Sequence, residues 1–573
     1  MTTTTTDLSF SITEVPFSCA GSWLDVSPVV AENRVERDLH LVSHHTGLHA
    51  VLALVPVLAG GRAEVAITAS PAVLTWTNDQ GRVDLAFETP DTIRITGTAL
   101  GLSLTAAHPT LTPFSGTYFF HDPVTGAHVF TSYETGRRYR VTVLAGTVEA
   151  VGSEALGTHE RGVVVSADEG SWEVVVETYR TSRQPFRSAK GFDEVVRDRG
   201  AQFDAFLDAV APWRDGSTPA AALAAYVLWS ATVDPEGFVR RPAVLMSKHW
   251  MDKVWSWDHC FNALALAGGA PELAWDQFLT PFDHQDESGA LPDSVTHSEV
   301  LHNFVKPPIH GWALGQLRGR LVRPLDRAQL DVAYRHLDAW TRFWLDHRRA
   351  EGHRLAHYQH GNDSGWDNAT TFDGGGLVES ADLAAFLVLQ MRQLAALADE
   401  LGKAEDAREW EARAEDMLVA LLDELWDGER FASRHAITGA HRTTDSLLDL
   451  MAVILGEHLP EEHRLRLVDR VERHLAHSGL ATERADSPHY EDDGYWRGPV
   501  WAPSTVLIED GLRRGGSTEL ADLVSTRFRE VCEKSGFAEN FDARTGGGLR
   551  DRSYTWTAGA YLVLAGDAVR RRS

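Results

Sequence analysis

His360-Gly-Asn-Asp-Ser-Gly-Trp-Asp-Asn-Ala369 decides how the rest of the chain is read. Its Gly, Asn, Asp and Ser residues favour turns, so the stretch is a loop. Asp373-Gly-Gly-Gly376, just after it, keeps the backbone loose. The loop lies between two long segments, 326–349 and 379–401, that are patterned as amphipathic helices. In the first, apolar residues recur at helical spacing at Leu330, Tyr334, Leu337, Trp340 and Trp344. On this loop Asp367 stands beside Trp366, a carboxylate next to a flat apolar face, which suits a carbohydrate site. Taken alone, the stretch leaves open that Asp367 caps the following helix.

Toward the C-terminus the same alternation of helix and polar loop repeats. Helices are expected to start near residues 219, 258, 271, 310, 326, 379, 403, 441, 460, 501, 516 and 555. Ser217-Thr218-Pro219 opens the series with an N-cap and a proline at the first helical position. Twelve helices with few strands among them fit paired helices closed into an (α/α)6 toroid, whose loops gather at one end around a central pocket. A solenoid of helical pairs is the alternative, although no fixed-period repeat is visible. Upstream, residues 10–181 read as β. Alternation is plain in Glu64-Val-Ala-Ile-Thr68, Thr92-Ile-Arg-Ile-Thr96 and Arg138-Tyr-Arg-Val-Thr-Val143. Short strands punctuated by turns imply a sandwich-like domain. Residues 192–206 read as a helix and 212–216 as a break. The expected division is a β-sandwich-like domain over 1–190, a helical linker over 191–216 and a catalytic domain over 217–573. His44-His45 and His121-Asp122 read as surface or turn residues rather than metal ligands.

At 573 residues the chain has room for two domains. A net charge of −27 argues against nucleic acid and anionic membrane surfaces as partners. A neutral or cationic small ligand fits that field better. Cys19, Cys260 and Cys532 are odd in number and far apart, which points to a reducing compartment. Met-Thr-Thr-Thr-Thr-Thr-Asp7 lacks the basic and apolar regions of a secretory signal, and no run approaches a membrane span. A cytoplasmic protein is expected, and the sequence is silent on its oligomeric state.

Of 18 tryptophans, all but Trp23, Trp76 and Trp172 fall in the helical part. Trp229, Trp340 and Trp410 lie on helical spacing and read as core. Trp255, Trp257, Trp366, Trp496, Trp501 and Trp556 sit in loop-like motifs, where an indole face can stack on the C–H face of a sugar. Four motifs join the opening one: Lys253-Val-Trp-Ser-Trp-Asp-His-Cys-Phe261, His302-Asn-Phe-Val-Lys-Pro-Pro-Ile-His-Gly-Trp312, Asp493-Gly-Tyr-Trp-Arg-Gly-Pro-Val-Trp501 and Phe537-Ala-Glu-Asn-Phe-Asp-Ala-Arg-Thr-Gly-Gly547. All lie at inter-helix loops, as a site on one rim requires.

These five motifs, in this order, resemble glycoside hydrolase family 63 across residues 246–562. That family includes processing α-glucosidase I and mannosylglycerate and glucosylglycerate hydrolases, and it is related to the family 37 trehalases. The resemblance implies that Asp367 is the general acid and Glu539 the general base. It implies that Trp257 and Asp258 hold the sugar whose bond is cut. It also implies that Trp366, Tyr495, Trp496 and Trp501 line the subsites, with Arg497 serving the leaving side. Lys306 departs from the pattern, since several small-substrate relatives carry glutamine there, and this leaves the aglycone open.

Glycoside cleavage needs a proton for the leaving oxygen and a nucleophile at the anomeric carbon, so two carboxyl groups in unlike surroundings suffice. Asp367 and Glu539 stand 172 positions apart, and only the fold can join them. The family it resembles inverts, which implies carboxyls about 6.5–9.5 Å apart, with room for water. Asp363 is a rival acid, and Glu483, Asp492 and Asp493 are rival bases. His310 reads as a hydrogen-bonding residue at a helix start rather than a catalyst, and it is grouped with Lys306, Trp255 and Trp556 among the sugar-binding residues. Cys-x-x-Cys and His-Glu-x-x-His patterns are absent, and Gly374-Gly375-Gly376 lacks the lysine and preceding strand of a phosphate loop, so neither metal nor cofactor is expected. The sequence reads as an inverting exo-acting α-glycosidase for a small α-glucoside. Another sugar enzyme on the same toroid, a phosphorylase or an epimerase, and an inactive carbohydrate-binding homologue are the alternatives.

Overall fold

The computed structural model describes residues 8–167 and 170–572, so Met1–Asp7, read above as no secretory signal, lies outside the described residues. The chain divides into two compact units. The first runs to Asp208 and takes in Ala225–Asp252 and Thr296–Ser298 from later in the sequence; the second is Ala209–Ala224, Lys253–Val295 and Glu299–Ser573.

The first unit holds two large antiparallel sheets. One runs in the order Leu24–Ala31, Arg34–Ser43, His49–Leu58, Gly101–Ala106, Gly162–Ser166 and Thr147–Val151, with Gly61–Arg62 paired back on His49–Leu58. The other runs Thr117–His121, His128–Ser132, Arg138–Ala145, Ser171–Tyr179, Thr92–Thr98, Arg82–Thr89, Leu74–Thr77 and Ala66–Ala69. Their alternating apolar residues, such as Leu102 and Leu104 or Val174 and Val176, are buried. One expectation is corrected here. His44 and His45 are not surface or turn residues but buried ones. His44 lies 2.8 Å from Asp25 and 3.1 Å from Asp252. Burial alone would lower its pKa, but the hydrogen bonds to both aspartates raise it to about 9. His45 faces Glu236 at 3.3 Å. No pattern in the sequence announces partners drawn from such distant positions. His121-Asp122 does sit at a turn, where Asp122 accepts from the Val124 N–H and the Thr125 hydroxyl.

Helices dominate the remainder: α1 (Phe192–Val210), α2 (Ala221–Ala231), α3 (Asp258–Leu266), α4 (Pro271–Leu279), α5 (His310–Arg320) and α6 (Arg327–His347), then α7 (Ala381–Glu400), α8 (Ala404–Leu425), a 3₁₀ helix (Leu447–His458), α9 (Glu461–Glu472), α10 (Ala502–Arg514), α11 (Thr518–Ser535) and α12 (Thr555–Arg572). Their starts fall close to the expected ones, although among the α-helices only α6 has its N-terminus closed by a side-chain cap that is seen here. At α6, Asp326 accepts from the Gln329 N–H while the Gln329 side chain returns to the Asp326 N–H. The largest difference is near 441, where His441–Arg442 is instead a strand paired with Ser433–His435. Asp449 accepts from both the N–H and the hydroxyl of Thr444, and these local bonds hold the backbone out of a helix until Leu447.

Six of these helices form a closed ring. α3 packs on α5, α5 on α7, α7 on the 447–458 helix, that helix on α10, α10 on α12, and α12 back on α3. α4 packs on α3, α8 on α7, α9 on the 447–458 helix, and α11 on α10 and α12. Four of the ring helices begin beside tryptophan- or histidine-bearing loop segments: Asp258 opens α3, His310 opens α5, Trp501 precedes α10 and Trp556 lies in the first turn of α12. The expectation that no run would reach the length of a membrane span is corrected by α7, which is long and apolar enough to cross one. It is mostly buried, because neighbours cover it nearly all round.

Candidate active site

The 360–372 loop is held by its own polar residues. Asp363 accepts from the Val305 N–H at 3.1 Å, the Gln359 N–H at 2.8 Å and Arg348 at 2.8 Å. These three bonds anchor the loop and engage both carboxylate oxygens, which argues against Asp363 as the acid. Gly365 turns the chain with φ +74°, and a Cβ there would lie 2.5 Å from the Trp257 ring. Trp257 can therefore slide under the turn only because residue 365 is glycine. Gly365→Ala is expected to destabilise the protein by roughly 1–3 kcal/mol, from left-handed strain and overpacking together. Equilibrium denaturation measures this, and an unchanged midpoint would discard the packing argument. Beyond the turn, Asp367 caps no helix. The next helical turn, Thr370–Phe372, has no side-chain cap, and α7 begins after Ser380.

A three-stranded ribbon, Val254–Trp255, Ser294–Val295 and Val300–Leu301, brings the Asp258 and Asp293 regions together. Lys306 is buried among carboxylates: its Nζ lies 3.1 Å from Asp293 Oδ1 and 4.0 Å from Asp367 Oδ1, and it donates to the Asn362 carbonyl at 2.8 Å. Burial raises the pKa of Asp258 to about 8, with Lys306 opposing. Burial also raises Asp367, and Lys306 and a hydrogen bond from Tyr495 pull it back. One oxygen each of Asp258 and Asp367 is buried without a hydrogen-bond partner.

A second ribbon joins the distant carboxylate. Val500–Trp501 pairs with Asn540–Phe541, which pairs with Gly548–Leu549. Glu539 follows from this pairing; its N–H donates to the Asp551 carbonyl at 2.7 Å, and the side chain is buried. Burial pushes Glu539 up to about 8, the Asp551 charge adds to the rise, and Arg550 opposes it. Tyr495 hydrogen-bonds Asp367 and also feels the charge of Glu539, so the two carboxylates converge on one tyrosine.

Indoles wall this region. Trp496 stacks on Trp501 with centroids 4.0 Å apart and 7° between planes, and Trp366 lies 4.6 Å from Trp496. Trp556 meets Trp501 edge-on at 5.6 Å and Trp257 at 5.7 Å. Tyr495 stands edge-on to Trp501 at 5.0 Å. Trp255 is apart from this cluster, half-buried on the first ribbon with the Lys253 ammonium 6.0 Å from its ring centre. Arg497 donates to the Asn368 carbonyl at 2.7 Å and pairs with Asp373, so it braces two loops. His310 is fully buried; it bonds the Ser256 carbonyl at 2.9 Å and packs on Phe282, and burial lowers its pKa to about 4. The rival bases fall elsewhere. Glu483 accepts from Thr370 at 2.7 Å and Ser487 at 2.6 Å, while Asp492 and Asp493 are exposed partners of Arg544 and Arg550.

Sequence reasoning passed over Asp293, Arg550 and Asp551, which act electrostatically on the carboxylates or on Tyr495, and Tyr554, whose own pKa is raised by burial and by the charges of Glu539 and Asp258. They belong to no motif, and their position follows from the two ribbons. Among the described residues no group of three or more His, Cys, Asp or Glu side chains is arranged to hold a metal.

The mannosylglycerate hydrolase MGH1-like glycoside hydrolase domain matches residues 251–557, more than half of the chain. Among curated proteins, a mannosylglycerate hydrolase of Rubrobacter radiotolerans is 27% identical over 409 residues, covering 54% of this chain and 91% of its own length. A glucosylglycerate hydrolase of Mycolicibacterium hassiacum is 25% identical over 447 residues, covering 61% and 98%. Among solved structures, a mannosylglycerate hydrolase of Thermus thermophilus in complex with glucose superposes with a TM-score of 0.53 at 23% identity. It covers 60% of this chain and 99% of its own, a likeness of fold. A domain match that takes in Asp258, Lys306, Asp367, Tyr495 and Glu539 together makes this chain a member of glycoside hydrolase family 63.

Proposed function

We propose that the protein is an inverting, exo-acting glycosidase that hydrolyses a small α-glucoside, with glucosylglycerate as the type of substrate. The observation that carries this reading is the convergence of two carboxylates, half-buried Asp367 and buried Glu539, on Tyr495 inside an indole-walled region. The relatives named for mannosylglycerate and glucosylglycerate support a hexose joined to a small acid. We take the six-helix ring as an (α/α)6 toroid, residues 217–573 as the catalytic domain, the N-terminal sheets as a β-sandwich-like attachment, and the cytoplasm as the place of action.

In this mechanism Asp367 gives its proton to the glycosidic oxygen as the bond to the anomeric carbon breaks. Glu539 takes a proton from the water that attacks the opposite face. Asp258 bonds hydroxyls of the held sugar, and Trp257, Trp366, Trp496 and Trp556 cover its apolar faces. Lys306 lies among Asp258, Asp293 and Asp367 and limits the repulsion that three carboxylates would otherwise exert. Burial raises the pKa of both carboxyls; the Asp551 charge adds to the rise at Glu539, whereas Lys306 and Tyr495 limit it at Asp367, and the two groups titrate as a coupled pair.

Proton NMR of the sugar released from α-glucosyl and α-mannosyl glycerate and from α-linked disaccharides tests the reading. The β anomer is expected first, from a glucosyl donor. An α anomer first would overturn inversion, and a sugar phosphate formed only in phosphate buffer would mark a phosphorylase. Binding without any cleavage would mark a carbohydrate-binding homologue.

A further inference from the structure

Tyr495 has φ +63°, a backbone conformation that residues other than glycine seldom adopt, and Arg550, whose guanidinium lies 4.8 Å from its ring centre, has φ +60°. Such a conformation persists only where its surroundings impose it. Here one side chain spans it. Asn368 Nδ2 donates to the carbonyl of Gly494 at 3.0 Å, and Asn368 Oδ1 accepts from the N–H of Trp496 at 2.9 Å. The two bonds grip the residues before and after Tyr495. The Tyr495 carbonyl is fixed in turn by the Trp501 Nε1–H at 2.8 Å. Asn368 directly follows Asp367 in the chain, and the Tyr495 hydroxyl returns to Asp367. Acid, clamp and tyrosine therefore close a small circuit.

We infer that Asn368 is a positioning residue that holds Tyr495 in its left-handed conformation so that the tyrosine hydroxyl sets the placement of the Asp367 carboxyl. This rests on the reading of Asp367 as the general acid. The clamp needs one donor and one acceptor on the same planar group, which an amide has. An aspartate at 368 would keep the acceptor for Trp496 but present a second oxygen to the Gly494 carbonyl. Arg497 bonds the backbone carbonyl of Asn368, so that brace survives any change of the side chain.

Asn368→Ala, Asn368→Asp, Tyr495→Phe and the double variant N368A/Y495F test this, with kcat and KM measured on the cleaved α-glucoside and on α-glucosyl fluoride. N368A and Y495F are each expected to lower kcat on the glucoside about 10- to 100-fold, the scale for a small misplacement of a reacting group, with KM nearly unchanged. The fluoride, whose leaving group needs little proton transfer, is expected to lose less than about threefold. The double variant is expected to be no slower than the slower single one, because both act on the same contact. Equal losses on both substrates, additive losses, or an N368A enzyme within about twofold of wild type on the glucoside would overturn the inference. If N368A does not fold, N368D with Y495F carries the same comparison. Failure of the underlying reading shows separately, as Asp367→Asn retaining wild-type kcat on the glucoside.

Discussion

Asp367→Asn is expected to lower kcat on an α-glucoside with a poor leaving group by about 10²–10⁴-fold, the range that general acid–base catalysis supplies. The amide keeps the shape of the carboxyl and cannot give up a proton, so binding should be retained. The same variant is expected to cleave α-glucosyl fluoride at close to the wild-type rate, since fluoride departs without protonation. A parallel collapse on both substrates would remove Asp367 from the role of acid. The pH profile gives a second arm. Asp367 must be protonated to act, so the wild-type glucoside profile falls on its alkaline side, with limbs that belong to the Asp367–Glu539 pair; burial raises Asp367, and Lys306 and Tyr495 limit the rise. In D367N that alkaline limb should be absent from the fluoride profile.

Glu539→Gln is expected to be as damaging, but in a different pattern. The attacking water must lose its proton whatever the leaving group, so glucoside and fluoride should both slow by about 10²–10⁴-fold. A variant that keeps fluoride cleavage would exchange the two roles. Glu539 has to be ionised to accept the proton, and burial with the Asp551 charge holds it up at about 8. In D367N, where Glu539 titrates without its partner, fluoride cleavage should therefore rise with pH on a limb centred near that value and fall away as the solution becomes more acidic. An acid limb near pH 4 would show that the carboxylate is far better solvated than its burial allows.

What the sequence made legible was mostly local. The capping residues at Asp326, the proline at residue 271 and the polar loop at 360–369 mark helix boundaries that the structure keeps, because caps act within four residues of the bonds they satisfy. The five motifs likewise carry most of the site. What escaped is non-local. Asp293 reaches Lys306, and Arg550 reaches Tyr495, through ribbons only two residues wide per strand, too short to leave an alternating pattern. His44, which looked like a surface residue, is buried because Asp25 and Asp252 compensate its charge, and neither position signals the other. His310 was grouped with the sugar-binding residues by its neighbours in sequence, yet it faces the Ser256 carbonyl and an aromatic core.

The contact of α12 on α3 sets a temporal order on the molecule. Trp257 on the first ring helix finds Trp556 only on the last, some three hundred residues later in synthesis. A ribosome-bound chain that has made the first five ring helices carries Asp258 and Asp367 but still lacks Glu539 and Trp556, and the side of α3 that packs on α12 is left uncovered. Loop closure of that length is slow, and incomplete chains of this kind invite aggregation or chaperone capture. Competence for chemistry should therefore appear in a single late step, when the final helix seats against the first.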